Sequence, residues 1–439
     1  MRETIALISL GCAKNLVNSE QMLWLLNQAD FELVDDADGA DVAIVNTCGF
    51  IDSAKSEAIG IILELAELKT ADRLQKIVVT GCLSERYREQ ILEELPEVDA
   101  VMGVGNYDDI VEVVQAVLTG ETVAVFGDNN APVEETKRVI STGPAWAYLK
   151  IAEGCDNRCS YCAIPDIRGH FRSRPMEAIL EEARELASLG IKELLVVAQD
   201  ITRYGTDLFG APSLDKLLAE LCKIDGIAWI RLHYLYPDEI TDSLIDVIAD
   251  EEKILPYLDI PIQHISDKIL RAMNRRGTGD EIRTLFQKLR EKIPGLVLRT
   301  SLITGLPGEG DAEFEELCDF LREARIERAG VFPYSPEEGT PAASMPDRPD
   351  EEVAQRRAEL IMELQAEIMD DYNDSRVGQT LCVLCEGYDE DAACLYGRTY
   401  ADSPDIDGKV FFDGEAQHGD FVNILITGVM DGDLIGEMV

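Results

Sequence analysis

Short apolar runs and longer stretches of helical spacing alternate along the first part of the chain. TIALISL precedes VNSEQMLWLLNQ, DVAIVNT precedes SAKSEAIGIILELAELK, and KIVVTG precedes SERYREQILEEL. A strand followed by a helix, three times over, predicts an α/β domain with a parallel sheet across residues 1–120. Residues 121–142, running into STGP, lose both periods and read as a linker. The alternation then resumes for six units over residues 143–375, with strands expected at YLKIAEG, ELLVVAQ, WIRLHYL, YLDIPIQ, LVLRTSLIT and GVFPYS. Six βα units without reversal predict a partial β/α barrel, whose reactive groups sit at the C-terminal ends of the strands. An amphipathic helix at about 350–373 closes it. From residue 376 to 439 the period falls to two, broken by Gly and Asp turns, which predicts a small antiparallel β-barrel.

Composition narrows the setting. No stretch reaches the roughly 18 apolar residues of a membrane span, and MRETIALISLGC runs straight into a strand, so a cytoplasmic protein with no membrane partner is expected. Eleven cysteines make an odd number in such a chain, which favours metal or redox chemistry over a disulfide framework. Asp and Glu outnumber Lys and Arg 84 to 40, a net charge of −44. That field attracts basic partners and argues against direct nucleic-acid binding.

Three of the cysteines, Cys155, Cys159 and Cys162, fall inside EGCDNRCSYCAIPDIRG, just after the first expected barrel strand. A [4Fe-4S] cube has four irons, so a C-x3-C-x2-C loop leaves one open to a ligand. The alternative from spacing is a zinc site completed by His170. A second set, Cys12, Cys48 and Cys82, follows three successive expected strands, at LISLGC, AIVNTC and VVTGC. In a parallel sheet these strand ends share one edge, so the three thiols converge on one crevice. Cys382 and Cys385 are different: in an alternating strand an offset of three puts them on opposite faces, and with Cys222, Cys318 and Cys394 they read as structural.

The C-x3-C-x2-C loop with Tyr161 before its third cysteine, on a βα barrel, resembles the radical S-adenosylmethionine superfamily. Two triplets followed by a small β-barrel resemble the methylthiotransferases from end to end. That likeness implies an N-terminal methylthiotransferase domain, a radical-SAM barrel and a TRAM domain. The stretches SLGCAKNLVNSE, VNTCGFIDSAKSEAI, FRSRP, QDITRYG and RLHYLYP look like the branch that modifies ribosomal protein S-twelve of the small subunit. The tRNA branch usually shows Tyr-Gly-Cys-Gln-Met-Asn around the first cysteine, where this chain has Leu10-Gly11-Cys12-Ala13-Lys14-Asn15.

The resemblance implies two [4Fe-4S] clusters: a radical-generating one on Cys155, Cys159 and Cys162, and an auxiliary one carrying sulfur on Cys12, Cys48 and Cys82. It implies two molecules of S-adenosylmethionine, one as methyl donor and one as source of a 5′-deoxyadenosyl radical, and a reducing protein such as flavodoxin or ferredoxin. The product is an aspartate with a methylthio group on its β-carbon. Gly305 and Gly308, in RTSLITGLPGE, match the glycine-bearing loop of the cofactor site, and Tyr161, Gln199, Asp200, Gln263 and Arg299 are candidates for its polar groups, the last four as expected strand-end residues. Arg168, Arg172 and Arg174 form a local basic spot that either attracts an anionic target or offsets nearby carboxylates.

Two competitors remain. A tRNA adenosine methylthiotransferase shares the chemistry but calls for a basic TRAM surface with about 6–10 phosphate contacts. Residues 377–439 hold 13 acidic side chains against Arg398 and Lys409 alone, a net of −11. A non-catalytic iron–sulfur or zinc-binding adaptor needs the cysteines but no S-adenosylmethionine pocket.

Overall fold

Three strands, Thr4–Ser9, Val42–Thr47 and Lys76–Gly81, stand side by side in a computed structural model that describes residues 2–133, 135–143 and 145–439. They lie within a six-stranded parallel sheet to which Glu32–Val34, Ala100–Met102 and Val123–Val125 add the flanks. The helices Ala13–Gln28 and Asp52–Thr70 form where the helical spacing predicts them. The third stretch breaks in two, Cys82–Tyr87 and Gln90–Glu94, because Arg88 takes a left-handed backbone with φ 48° that no continuing helix allows. Val123–Val125 lies inside the stretch read as a linker; three residues are too few to show a period, and their pairing partner Ala100–Met102 supplies the order. Glu134, in that same stretch, and Pro144, at the end of STGP, lie outside the described residues, as does Met1.

The chain divides into two compact units that do not follow its linear order. One comprises the residues up to Ser141 together with Ala152–Arg174 and Ser335–Ala343; the other comprises Thr142–Ile151, Pro175–Tyr334 and Ser344–Val439. Both cysteine triplets therefore belong to the first unit. Its outlying segments are tied in by buried charge: Glu337 accepts from Lys55 at 2.9 Å and Arg86 at 2.7 Å, and Glu20 accepts from Arg138 and from Ser141.

In the second unit the strands Trp146–Lys150, Glu193–Val197, Trp229–Leu232, Ile254–Asp259, Val297–Thr304 and Arg328–Pro333 pair in parallel and in sequence order. This is the partial barrel. The helix Glu351–Asp374 packs on its last two strands. Five further strands close a barrel, with one departure from the expected antiparallel pattern: Val410–Asp413 pairs in parallel with Asp433–Met438. Cys382 is exposed and Cys385 buried, on opposite faces of the strand Thr380–Asp389.

The small barrel is joined to the six-stranded sheet of its unit by buried ions. Glu193 takes a 2.7 Å contact from Arg231 on one oxygen and another from Arg398 on the other, and Arg398 also reaches Glu386 at 2.7 Å. Arg328 pairs with Asp402 at 2.8 Å, and the Tyr257 hydroxyl donates to Asp407 at 2.6 Å.

Candidate iron–sulfur sites

Cys12, Cys48 and Cys82 each follow one of three adjacent parallel strands, at the ends that share an edge. Gly11 shows how close the loops come. Its φ is +91°, and a Cβ there would lie 2.8 Å from the Cys48 Cβ and 3.3 Å from its sulfur. Only glycine fits, for backbone and space alike. A Gly11→Ala chain is expected to lose about 1–3 kcal/mol from backbone strain, seen as a lower urea midpoint of the metal-free protein; an unchanged midpoint would contradict this packing.

Asn15 fastens the same edge. Its side-chain amide donates to Leu10 O at 2.9 Å and Thr47 O at 2.8 Å, the carbonyls next to Gly11-Cys12 and to Cys48. The first turns of its helix bury Lys14, Asn15, Asn18, Ser19 and Glu20, a polar face where a core helix would carry apolar residues. That buried polarity in KNLVNSE is the signal that sequence reasoning passed over.

The second triplet lies on a loop between the short antiparallel strands Ala152–Glu153 and Arg172–Ser173. The Cys155 N–H donates to Gly169 O and the Cys162 N–H to Cys159 O, each at 3.1 Å, and the helix Ile164–Arg168 follows. Cys159 is buried, with Cys155, Cys162 and Tyr161 half-buried. His170, the residue that would complete a zinc site, is exposed and shares a 2.9 Å hydrogen bond with Asp156. Among the described residues no three His, Cys, Asp or Glu side chains converge as one metal ion would require.

Arg168 ends that helix and is fully buried. Its Nε and one terminal nitrogen each donate to the Cys82 sulfur at 3.4 Å, and the remaining N–H groups reach Glu153 at 3.0 Å, Asn18 at 3.2 Å and Asn15. Cys82, Ala163 and Ile167 pack in one apolar cluster beside it. Arg172 donates to the carbonyls of Arg168 and His170, and Arg174 forks onto Glu135, so the basic spot is consumed internally. The thiols respond unequally. Burial pushes Cys48 up to about 11 despite the Phe50 N–H, and raises Cys82 despite Arg168. Burial works upward on Cys12 too, but Lys14, Arg168 and the N–H groups of Asn15 and Lys14 bring it below its ordinary value. Cys12 and Cys82 both act on the Cys48 thiol and Arg168 donates to Cys82, and neighbouring thiols beside a cation suit thiolate ligation.

In the second unit, Gln199 and Asp200 follow the strand Glu193–Val197, and Asp200 accepts from the Thr202 N–H at 3.1 Å. Gln263 follows Ile254–Asp259 in a left-handed conformation with φ 69°, bridged to Leu302. A held outlier of this kind is the sort of strain found at ligand sites. Arg299 corrects the expectation of a strand end. It is the third residue of the strand Val297–Thr304, in register with Asp259, to which it donates at 2.9 Å. Its own strand runs on for five residues to Thr304, while the neighbouring strand ends at its partner Asp259. Gly305 makes a close approach: a Cβ there would meet the Ala354 Cβ at 2.2 Å, so its bareness serves helix packing. The Glu309 carboxylate receives its N–H at 3.0 Å.

Three segments of the chain match known families: residues 4–103 the uncharacterized protein family UPF0004, 149–321 the Radical SAM superfamily, and 377–439 the TRAM domain. Among solved structures, the radical S-adenosylmethionine methyltransferase TsrM from Kitasatospora setae is similar with a TM-score of 0.56 at 15% identity, over 78% of this chain and 77% of that one. The cobalamin-dependent radical enzyme OxsB follows with 0.51 at 14%, over 83% and 56%. These likenesses bear on the fold. Much nearer are proteins named ribosomal protein uS12 methylthiotransferase RimO. That of Acetivibrio thermocellus is 49% identical over 100% of this chain and 99% of its own length. Those of Lachnoclostridium phytofermentans and Pelotomaculum thermopropionicum are each 51% identical, over 98% and 99% of this chain and 99% of their own. Identity at about half of all positions from end to end, through both cysteine triplets' domains and the small barrel, places the chain in the RimO family of radical S-adenosylmethionine methylthiotransferases.

Proposed function

We propose that this chain puts a methylthio group on the β-carbon of an aspartate in ribosomal protein uS12, in the cytoplasm. One observation carries the choice of a protein target over RNA. Of the two cations in the TRAM barrel, Arg398 is buried between Glu193 and Glu386, which leaves Lys409 as the exposed one, over the Tyr396 ring. One exposed cation falls far short of the roughly 6–10 phosphate contacts of a useful RNA grip. The same barrel carries a surface hollow of about 550 Å³ whose lining includes Tyr388, Phe412, Asp413, Glu415 and Asp420, a surface complementary to a basic protein segment.

Cys155, Cys159 and Cys162 are assigned as ligands of the radical-generating cluster, and Cys12, Cys48 and Cys82 as ligands of a second, sulfur-carrying one. When bound, S-adenosylmethionine with a reduced cluster supplies a 5′-deoxyadenosyl radical, the means of breaking a C–H bond that no base can deprotonate. The residues of the chain bind and orient. Gln199, Asp200 and Gln263 are assigned to the polar groups of the cofactor and Tyr161 to the cluster loop, with Gly305 shaping the turn that ends its strand. Arg299 is assigned to holding Asp259. The electron comes from a small reducing protein such as a flavodoxin or ferredoxin. Among the described residues no helix is long and apolar enough to cross a membrane.

Anaerobic turnover with labelled S-adenosylmethionine, on a uS12 peptide and in parallel on unmodified tRNA, is expected to add a methylthio mass to the peptide aspartate. A gain on the tRNA alone would overturn the target.

A further inference from the structure

Two donors around Cys82 are better suited to a charged occupant than to the bare protein. A buried guanidinium is expensive unless its charge is met. Glu153 meets part of it, yet Arg168 turns two of its N–H groups onto the Cys82 sulfur. A neutral thiol is a weak acceptor, whereas an iron-bound thiolate carries the charge that this fork matches. The second donor is Tyr107. Its half-buried ring packs against the core of the first sheet, and its hydroxyl is buried without a hydrogen-bond partner among the described residues. Such orphans are rare in folded proteins and call for an explanation. Tyr107 opens the short 3-10 helix Tyr107–Asp109, which packs against the helix Ala13–Gln28 that follows Cys12, so the orphan hydroxyl belongs to the same end of the sheet as the triplet.

We propose that Arg168 and Tyr107 line the N-terminal cysteine site as positioning residues, Arg168 donating to the Cys82 thiolate and Tyr107 to the group the triplet holds, and that both raise that group's reduction potential. This rests on the assignment of Cys12, Cys48 and Cys82 as cluster ligands. Hydrogen bonds and positive charge beside a cluster favour its reduced, more negative state, and these partners are as much a part of the site as the ligands. Glu153 acts in the opposite direction and holds Arg168 in place. Since Glu153 lies two residues before Cys155, the same bond links the strand ahead of one triplet to the sulfur of the other.

The test uses the full chain with Cys155, Cys159 and Cys162 all changed to Ala, reconstituted with iron and sulfide under anaerobic conditions and titrated potentiometrically. If this parent takes up no cluster, the ligand assignment fails. If it does, Arg168→Met and Tyr107→Phe are each expected to lower the midpoint with iron content retained, Arg168→Lys to bring it partway back, and Glu153→Gln to raise it. Tyr107→Phe adds a readout that a merely structural role would move the other way: the metal-free chain should be no less stable without its orphan hydroxyl. Should Arg168→Met fail to fold, Tyr107→Phe and Glu153→Gln decide. Midpoints unmoved in Tyr107→Phe or in Glu153→Gln, at equal iron content, overturn the proposal.

Discussion

Cys159→Ala is expected to abolish release of 5′-deoxyadenosine from S-adenosylmethionine while the protein keeps about half its iron, four of eight atoms if each triplet holds one cube. The two triplets are carried by different local structures, which is why one can fail alone. Cys159 lies in a loop framed by Ala152–Glu153 and Arg172–Ser173, whereas Cys12, Cys48 and Cys82 depend on the register of three parallel strands and on the amide of Asn15. Replacing a buried cysteine by alanine removes one ligand and little volume, so the sheet should not notice. Cys48→Ala is the mirror experiment: cofactor cleavage should persist and methylthio transfer should stop. The measurements are iron content, the yield of 5′-deoxyadenosine and the mass of the peptide product. Cleavage in Cys159→Ala at the level of the unaltered chain, or its loss in Cys48→Ala with iron retained on the other triplet, would reverse the division of labour.

Cys12, Cys48 and Cys82 were legible because a short apolar strand running into Gly-Cys or Thr-Cys is a strong local pattern that a parallel sheet converts into one edge, and Cys155, Cys159 and Cys162 from their C-x3-C-x2-C spacing. The partners of those cysteines were not legible. Arg168 meets Cys82, Asn18 and Asn15 across 86, 150 and 153 residues, and nothing periodic in the chain encodes such a meeting. The same limit hid Tyr107, which reads as an ordinary core aromatic until its hydroxyl is found without a partner. Strands of three residues, Glu32–Val34, Ala100–Met102 and Val123–Val125, escaped for want of length. Arg299 was misplaced for a related reason: LVLRTSLIT reads as a strand, but only the register with Asp259 fixes how far from its end the arginine lies. The division of the chain into units was also beyond local reading, since Ser335–Ala343 joins residues near the N-terminus through ion pairs such as Lys55 with Glu337.

Arg398→Ala is expected to destabilise the protein by about 3–5 kcal/mol, the range for removing one partner of a buried ion pair. Both Arg398 and Glu193 are buried from solvent, so screening by water does little to reduce the loss. In the intact protein burial raises the pKa of Glu193, but Arg231 and Arg398, by charge and by hydrogen bonds, bring it below the ordinary value. A carboxylate with a depressed folded pKa adds stability that is fully present above its unfolded pKa, about 4.3, and is lost as pH falls through the lower folded value. Without Arg398 the balance at Glu193 tips toward burial, its folded pKa rises, and the acid unfolding midpoint should move to higher pH. Urea denaturation at neutral pH and an acid titration followed by circular dichroism measure the two effects. A double variant, Arg398→Met with Glu193→Gln, separates charge from packing: if the cost of the single variant comes from an unmatched carboxylate, the double should cost less than the sum of its parts. A pair that is additive, or an Arg398→Ala chain whose acid midpoint does not move, would mean that the small barrel is held to its sheet by apolar contacts such as Trp229 with Phe421, and that Arg398 is kept from solvent without being needed there.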